Sequence, residues 1–150
     1  MKVVLQRVSV ASVKIRGVVK GQIGLGYVAL LGIGEDDTAD DLEWLVKKTV
    51  QLRVFSDAEG KMNLSILDVE GNILLISQFT LHASTKKGNR PSFINAARPE
   101  KAIPLYETAI QLFTEALGKP IQSGEFGADM KVSLINDGPV TIIIDSKNRI

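Results

Sequence analysis

The sequence predicts a single α/β domain, a three-layer sandwich of many strands and two main helices. Three observations predict it. A chain of 150 residues buries about two-thirds of its unfolded surface on folding, which suits one ordinary core. Short apolar segments separated by glycine, asparagine and aspartate turns recur along most of the chain. Only two stretches, one after Gly34 and one ending at Leu117, carry apolar residues at helical spacing. The apolar fraction of 45% and the charged fraction of 23% sit near globular averages, so neither a disordered nor a fibrous class is expected.

Each element has its own signal. Residues 2 to 16 read as a strand whose phase changes partway, Val8 and Val10 sharing one parity and Val13 and Ile15 the other. One extra residue near Ala11 and Ser12, a β-bulge, would keep all four on the core face. Gly17 offers a turn into a hairpin partner, Val18 to Ile23. Tyr27 to Ile33 is apolar without alternation and lacks helix caps, as a strand covered on both faces should be. The acidic run from Gly34 to Asp41 starts a helix, with Thr38 or a neighbouring aspartate as cap and carboxylates suited to the dipole. Leu42, Leu45, Val46, Thr49 and Val50 are its inward face. Arg53-Val54-Phe55 and Ile73 to Thr80 read as strands, separated by turns at Ser56 to Gly60 and Glu70-Gly71-Asn72. A second helix begins at Pro99 or Pro104 and runs to Leu117, with Tyr106, Ala109, Ile110, Phe113 and Leu117 as its stripe. Gly118 and Pro120 end it, and Pro104 either opens it or kinks it. Lys131 to Ile135 and Val140 to Ile144 read as two strands joined at Asn136-Asp137-Gly138-Pro139.

Composition narrows the chemistry. With no cysteine, disulfides, thiol nucleophiles and thiolate metal sites are excluded. The lone histidine, His82, excludes a histidine-rich metal cluster. A net charge of +1 gives no global field toward nucleic acid or anionic membrane, so such binding needs a local patch. The opening Met1-Lys2-Val3-Val4-Leu5-Gln6-Arg7 is too briefly apolar for a signal segment, and no apolar stretch approaches a membrane span. A soluble cytoplasmic protein without membrane contact is expected.

Four motifs invite a function. Gly24-Leu25-Gly26-Tyr27-Val28-Ala29 fits a dinucleotide fingerprint, but that chemistry needs a strand to end and a helix to begin there. Here a strand continues, so these glycines read as a turn in a β-meander. His82 is the one imidazole a nucleophilic triad could use, yet no nucleophile elbow accompanies it, and it reads as a surface or loop histidine. Lys86-Lys87-Gly88-Asn89-Arg90 is a cationic loop between a buried strand and a helix. It is either solvated or a holder of phosphates, and the candidate nucleic-acid contacts are Lys86, Lys87 and Arg90. Asn136-Asp137-Gly138-Pro139-Val140-Thr141 is the most informative. Asp-Gly between strands signals a two-residue hairpin, whereas proline removes a donor and permits a cis bond. In the cis form two consecutive carbonyls would make a small rigid acceptor pair at a loop tip.

Ser77-Gln78-Phe79-Thr80-Leu81 together with Asn136-Asp137-Gly138-Pro139-Val140-Thr141 resembles the two signature motifs of the D-aminoacyl-tRNA deacylase family, also called D-tyrosyl-tRNA deacylases. Gln6-Arg7-Val8, Gly88-Asn89-Arg90-Pro91-Ser92-Phe93 and Phe126-Gly127-Ala128 match as well, so the resemblance spans essentially the whole chain. It implies a cytoplasmic homodimer of β/β/α architecture with barrel-like sheets, one domain over residues 1 to 150. It implies hydrolysis of the ester joining a D-amino acid to the tRNA 3′ end, with the L-form spared. On Gly138 and Pro139 it places a Gly-cis-Pro motif that projects into the partner subunit's site, grips the α-amino group and leaves no room for an L side chain. Glycine passes that steric test, which makes glycyl-tRNA a second substrate. Arg7 matches the arginine that fixes the motif's orientation, and Met130 joins Gly138, Pro139 and Arg7 as substrate-binding residues. Ser77, Gln78, Phe79 and Thr80 are the catalytic candidates, with no metal and no cofactor.

Two chemistries fit those residues. Thr80 can act as an acyl-enzyme nucleophile, which requires an adjacent base, and His82 is the only imidazole on offer. Alternatively the terminal ribose 2′-hydroxyl assists, held at high effective concentration, while backbone N–H groups near Phe79 and Thr80 form an oxyanion hole. The second is favoured, because it explains the poverty of catalytic side chains. A pocket of main chain would read handedness as a clash and serve many D-amino acids. Two readings of other classes stand beside it: nucleic-acid binding without catalysis through Lys86, Lys87 and Arg90, and an amidohydrolase of free D-amino acid derivatives.

Overall fold

A computed structural model describes residues 1 to 150. The elements, in chain order, are β1 (Lys2–Ile15), β2 (Val18–Ile23), β3 (Gly26–Gly32), α1 (Ala39–Gln51), β4 (Phe55–Ser56), β5 (Met62–Leu64), β6 (Asn72–Ser77), a 3-10 turn (Phe79–His82), α2 (Pro99–Leu117), β7 (Gln122–Ser123) and β8 (Met130–Asp145). No helix is long and apolar enough to cross a membrane.

β1 organises the sheet because it is long enough for three partners. Along one edge its first half pairs antiparallel with β3 and its second half with β2, as the predicted hairpin; along the other edge it pairs with β8. β6 lies parallel to β3, and β7 parallel to β6. The sheet curls until β2 approaches β6 and β7, where Gly21 packs on Ser123 and Leu74. β4 and β5 form a small separate hairpin.

Two cores follow from the period-2 alternation of β3 and β6. Tyr27, Ala29, Leu31, Ile73 and Leu75 face the helices, meeting Leu42 and Leu45 of α1 and Tyr106, Ala109 and Phe113 of α2. Val28, Leu74 and Ile76 face into the curl, meeting Val8, Ala11, Val13 and Ile23. The result is the β/β/α sandwich, with β3 covered on both faces as predicted. Both helices match their signals: α1 starts after Thr38, and α2 starts at Pro99 with Pro104 inside it and ends at Gly118.

Several expectations are corrected. The β-bulge lies at Ser9, not near Ala11 and Ser12: Val8 pairs with Asn136 and Val10 with Ile135, which leaves Ser9 extra. Val10 consequently turns outward and is 42% exposed, while Ala11 and Val13 enter the inner core. The strand expected through Thr80 ends at Ser77. The turn after it packs on Gly32, where a Cβ would lie 2.9 Å from the Gln78 carbonyl oxygen and from the Leu81 Cβ. Most consequential, the two strands expected at 131 to 135 and 140 to 144 are one, β8, with no hairpin between them. From Gln6 to Val8 β1 advances two residues while β8 runs from Thr141 back to Asn136, so Asp137 to Val140 stand out of the ladder opposite Arg7.

The two chain ends are tied together. Ser146 N–H donates to the Met1 carbonyl at 2.9 Å, the Met1 amino group donates to Asp37 and Ser146, and Lys147 Nζ donates to Asp41 at 2.8 Å. The Thr38 backbone N–H donates to the same Asp41 oxygen at 2.9 Å, closing the start of α1. Burial works to raise the Asp41 pKa, but the bonds from Lys147, Thr38 and Ser146 outweigh it and hold the carboxyl well below the ordinary 3.8. A carboxylate with a depressed folded pKa stabilises fully above its unfolded value, and that stability is lost as pH falls through the folded one. Asp41→Asn should therefore be less stable than the parent at pH 7, with the gap shrinking below about pH 4. Urea unfolding at pH 7 and pH 3 measures it; equal gaps at both would show that the ionised carboxylate contributes nothing.

Candidate active site

At one end of β8, a cavity of about 280 Å³ opens between the end of β6 and the loop before β8. Ile76, Ser77, Gln78 and Phe79 form one wall; Phe126 to Met130 and Val132 form the other. Ser77 closes the β3–β6 ladder opposite Leu31, and the Gln78 N–H adds one last bond to the Leu31 carbonyl at 2.8 Å. The chain then tightens into the 3-10 turn, whose leading N–H groups have no partner within the turn. Phe126 leans on Tyr106 of α2, ring centroids 6.0 Å apart. The Tyr106 hydroxyl donates to the Leu75 carbonyl at 3.0 Å, and burial pushes its pKa up to about 12, so it stays a donor. α2 thus supports the cavity from behind.

Thr80 carries no sign of activation. Its Oγ1 accepts a hydrogen bond from the Gln78 side-chain amide, a donor and not a base. His82, the only imidazole, turns away: its Nε2 lies 3.1 Å from the Gly32 carbonyl oxygen, which can only accept, so that nitrogen carries the proton. His82 is half-buried against Gly32 and Gly34, packed as a structural residue and not a free loop one. Thr80 is exposed and does not line the cavity. The dinucleotide-like glycines enter β3 as expected, with no helix after them.

Gly138 and Pro139 form a second cluster, with Arg7. The Gly138–Pro139 peptide is cis. Neither residue has a ladder partner on β1. Arg7, buried, spans the base of the protrusion: Nε donates to the Asp137 carbonyl at 3.0 Å and Nη1 to the Val54 carbonyl at 2.6 Å. Arg7 pairs across β1 and β3 with Tyr27, whose phenol is pushed up by burial and drawn back in part by the Arg7 charge. The protrusion lies opposite Arg7, whereas the cavity residues Met130 and Val132 lie opposite Ile15 and Val13. Arg7 and Ile15 are separated by eight residues, about 26 Å of strand. Within one chain Met130 lies beside Ser77, Gln78 and Phe79, apart from Arg7, Gly138 and Pro139.

Lys86, Lys87 and Arg90 stand exposed on a loop closed by reciprocal backbone bonds between Ser84 and Ser92, at 2.7 and 3.0 Å. Next to that closure Phe93 meets Phe79 edge to face, centroids 5.0 Å apart, which ties the cationic loop to the cavity wall. A larger groove of about 640 Å³ beside Trp44, Ile143 and Arg149 contains none of the predicted site residues. Sequence reasoning missed the Val54 carbonyl, which has no sequence signature, and the side chains of Asn136 and Thr141, whose signal was an Asx acceptor beside Gly-Pro.

Comparison with known proteins gives the family and agrees with the fold. The family model described as D-Tyr-tRNA(Tyr) deacylase matches residues 4–145. Proteins named D-aminoacyl-tRNA deacylase from Akkermansia muciniphila and Bacteroides fragilis are 60% and 62% identical over 149 residues, 99% of each chain. A solved structure titled c-Myc DNA Unwinding Element Binding Protein superposes with a TM-score of 0.91 at 42% identity, covering 97% of this chain and 98% of that one. Another, titled as a probable eukaryotic D-amino acid tRNA deacylase, shares the fold with a TM-score of 0.83 at 18% identity, covering 95% and 97%. The relatives named deacylases over the full chain place the protein among the hydrolases. The chain belongs to the D-Tyr-tRNA(Tyr) deacylase family.

Proposed function

We propose that this protein acts in the cytoplasm as a homodimer that hydrolyses the ester between a D-amino acid and the tRNA 3′ end. The observation that carries the reading is the separation within one chain: the Gly138–Pro139 protrusion stands opposite Arg7, whereas the Met130 edge of the cavity stands opposite Ile15, about 26 Å further along β1, which supports a site that takes them from two copies. The accessible surface, 8600 Å², exceeds the roughly 7,500 Å² of a compact monomer of this mass, which supports a face meant for covering. In the dimer the main-chain carbonyls of Gly138 and Pro139 hold the substrate's α-amino group and meet an L side chain as a clash. Glycyl-tRNA passes the same test and is a second substrate. Lys86, Lys87 and Arg90 hold tRNA phosphates.

The ribose 2′-hydroxyl assists the attack, and main-chain N–H groups at Phe79 and Thr80 receive the oxyanion. The pairing of Thr80 with a donor amide favours this over a threonine acyl-enzyme. Thr80→Ala is expected to change deacylation less than about tenfold, since it removes no nucleophile. A covalent acyl intermediate trapped in the parent and lost in that variant would overturn the mechanism. For the activity itself, the protein is incubated with D- and L-tyrosyl-tRNA. Release from the D-form alone is expected; equal rates on both, or none on either, would defeat the proposal. The exposed cationic loop favours one second reading, binding of nucleic acid without catalysis, and a protein that retains RNA yet leaves every aminoacyl ester intact would establish it.

A further inference from the structure

The protrusion at Asp137 to Val140 has lost its ladder bonds to β1, and Arg7 secures only its Asp137 end. The other end is held by Asn136. Its Oδ1 accepts the Val140 backbone N–H at 2.9 Å, and its Nδ2 donates to the Thr141 hydroxyl at 2.9 Å. One side chain therefore ties the residue before the protrusion to the protrusion's last residue, Val140, and to Thr141, where the pairing with β1 resumes. The donor and acceptor assignment is fixed by the partners, since a backbone N–H can only donate. The clasp stands at the point where β8 leaves and rejoins the pairing, Asn136 opposite Val8 and Thr141 opposite Gln6. Four residues that include a glycine would otherwise swing about their two ends, and a group that must meet a substrate loses rate steeply when displaced.

We infer that Asn136 and Thr141 are positioning residues: they touch no substrate, and they hold the Gly138–Pro139 carbonyls at the height and angle needed in the opposite subunit's cavity. This inference rests on the proposed gate and adds to it the side chains that set its aim. It also explains why asparagine and threonine stand five residues apart around a glycine and a proline. The side-chain hydrogen bonds of both residues are made within the protrusion's base.

The test compares Asn136→Ala, Asn136→Asp, Thr141→Val and Gly138→Ala with the parent, measuring kcat, KM and the ratio of D- to L-tyrosyl-tRNA hydrolysis. An aspartate at 136 still accepts from Val140 N–H and from the Thr141 hydroxyl, so Asn136→Asp is expected to keep both rate and ratio. Asn136→Ala is expected to lower kcat on the D-substrate roughly ten- to a hundredfold, with little change in KM, and to narrow the D-to-L ratio. Thr141→Val, which removes one of the two bonds, should fall between them. Thermal unfolding of each variant separates misfolding from misplacement, and the Asp variant carries the inference if the Ala variant does not fold. An unchanged rate and ratio in Asn136→Ala, or loss in Asn136→Asp as deep as in Asn136→Ala, would overturn the inference. If Gly138→Ala keeps the full D-to-L ratio, the gate itself fails, whatever Asn136 does.

Discussion

Gly138→Ala is expected to abolish most D-aminoacyl-tRNA hydrolysis, with a loss of about a hundredfold or more, while leaving the fold intact. Gly138 has φ +129, a region L side chains rarely adopt, at a cost of roughly 1 to 3 kcal/mol. An added Cβ would also stand 2.9 Å from Arg7 Nη2 and 2.9 Å from Val140 Cγ2. Both neighbours belong to the structure that aims the protrusion, so the methyl group is accommodated only by moving what must stay fixed. The stability loss should stay at roughly 1 to 3 kcal/mol and leave the protein folded, because Asp137 to Val140 lie outside the ladder. Steady-state rates on D-tyrosyl-tRNA and a thermal melt decide it: a parent-like rate would mean that the protrusion does not take part.

Arg7→Ala is expected to be the most damaging single change to both stability and activity. The guanidinium is buried and joins two carbonyls from distant segments, Val54 and Asp137. Hydrogen bonds from a charged group contribute about 1.5 to 3 kcal/mol each, and truncation leaves two acceptors unmet. A loss of roughly 3 kcal/mol would lower the melting temperature by about 10 °C in a domain of this size. Arg7→Lys retains the charge but replaces a planar fork with a point donor, so it should recover part of the stability and little of the activity. If the lysine variant matched the parent in rate, the fork geometry would be irrelevant to the site.

What could be read from the residues depended on whether local signals agreed with long-range pairing. β3 was legible because both parities are apolar, and α1 and α2 because caps and stripes coincide. β8 was not. Asp137-Gly138 is a strong hairpin signal, and it did produce a departure from the strand; but residues on both sides of it pair with the same edge of β1, so the chain continues and does not reverse. The bulge was displaced by two residues because Val10 was assumed to face inward, whereas it lies opposite Ile135 and both are exposed. β5 and β7, of three and two residues, are too short to leave a periodic trace. Ser77 to Phe79 and Met130, proposed from their motifs, do line one cavity, but their partition from Arg7, Gly138 and Pro139 was not legible. That partition is a matter of register along β1, and register has no spelling in a motif.

In the proposed dimer, the placement of the cavity beside the start of β8 and the protrusion at its middle has a genetic consequence. A chain damaged at Gly138 retains an undamaged receptacle, and a chain whose cavity is plugged at Met130 retains an undamaged probe. Each is inert when paired with its own kind. Coexpressed, they assemble hybrids in which one functional centre is restored, about a quarter of the full complement under random exchange. If the proposed dimer holds, the unit on which mutation acts is the pair, and two broken alleles are expected to cure one another.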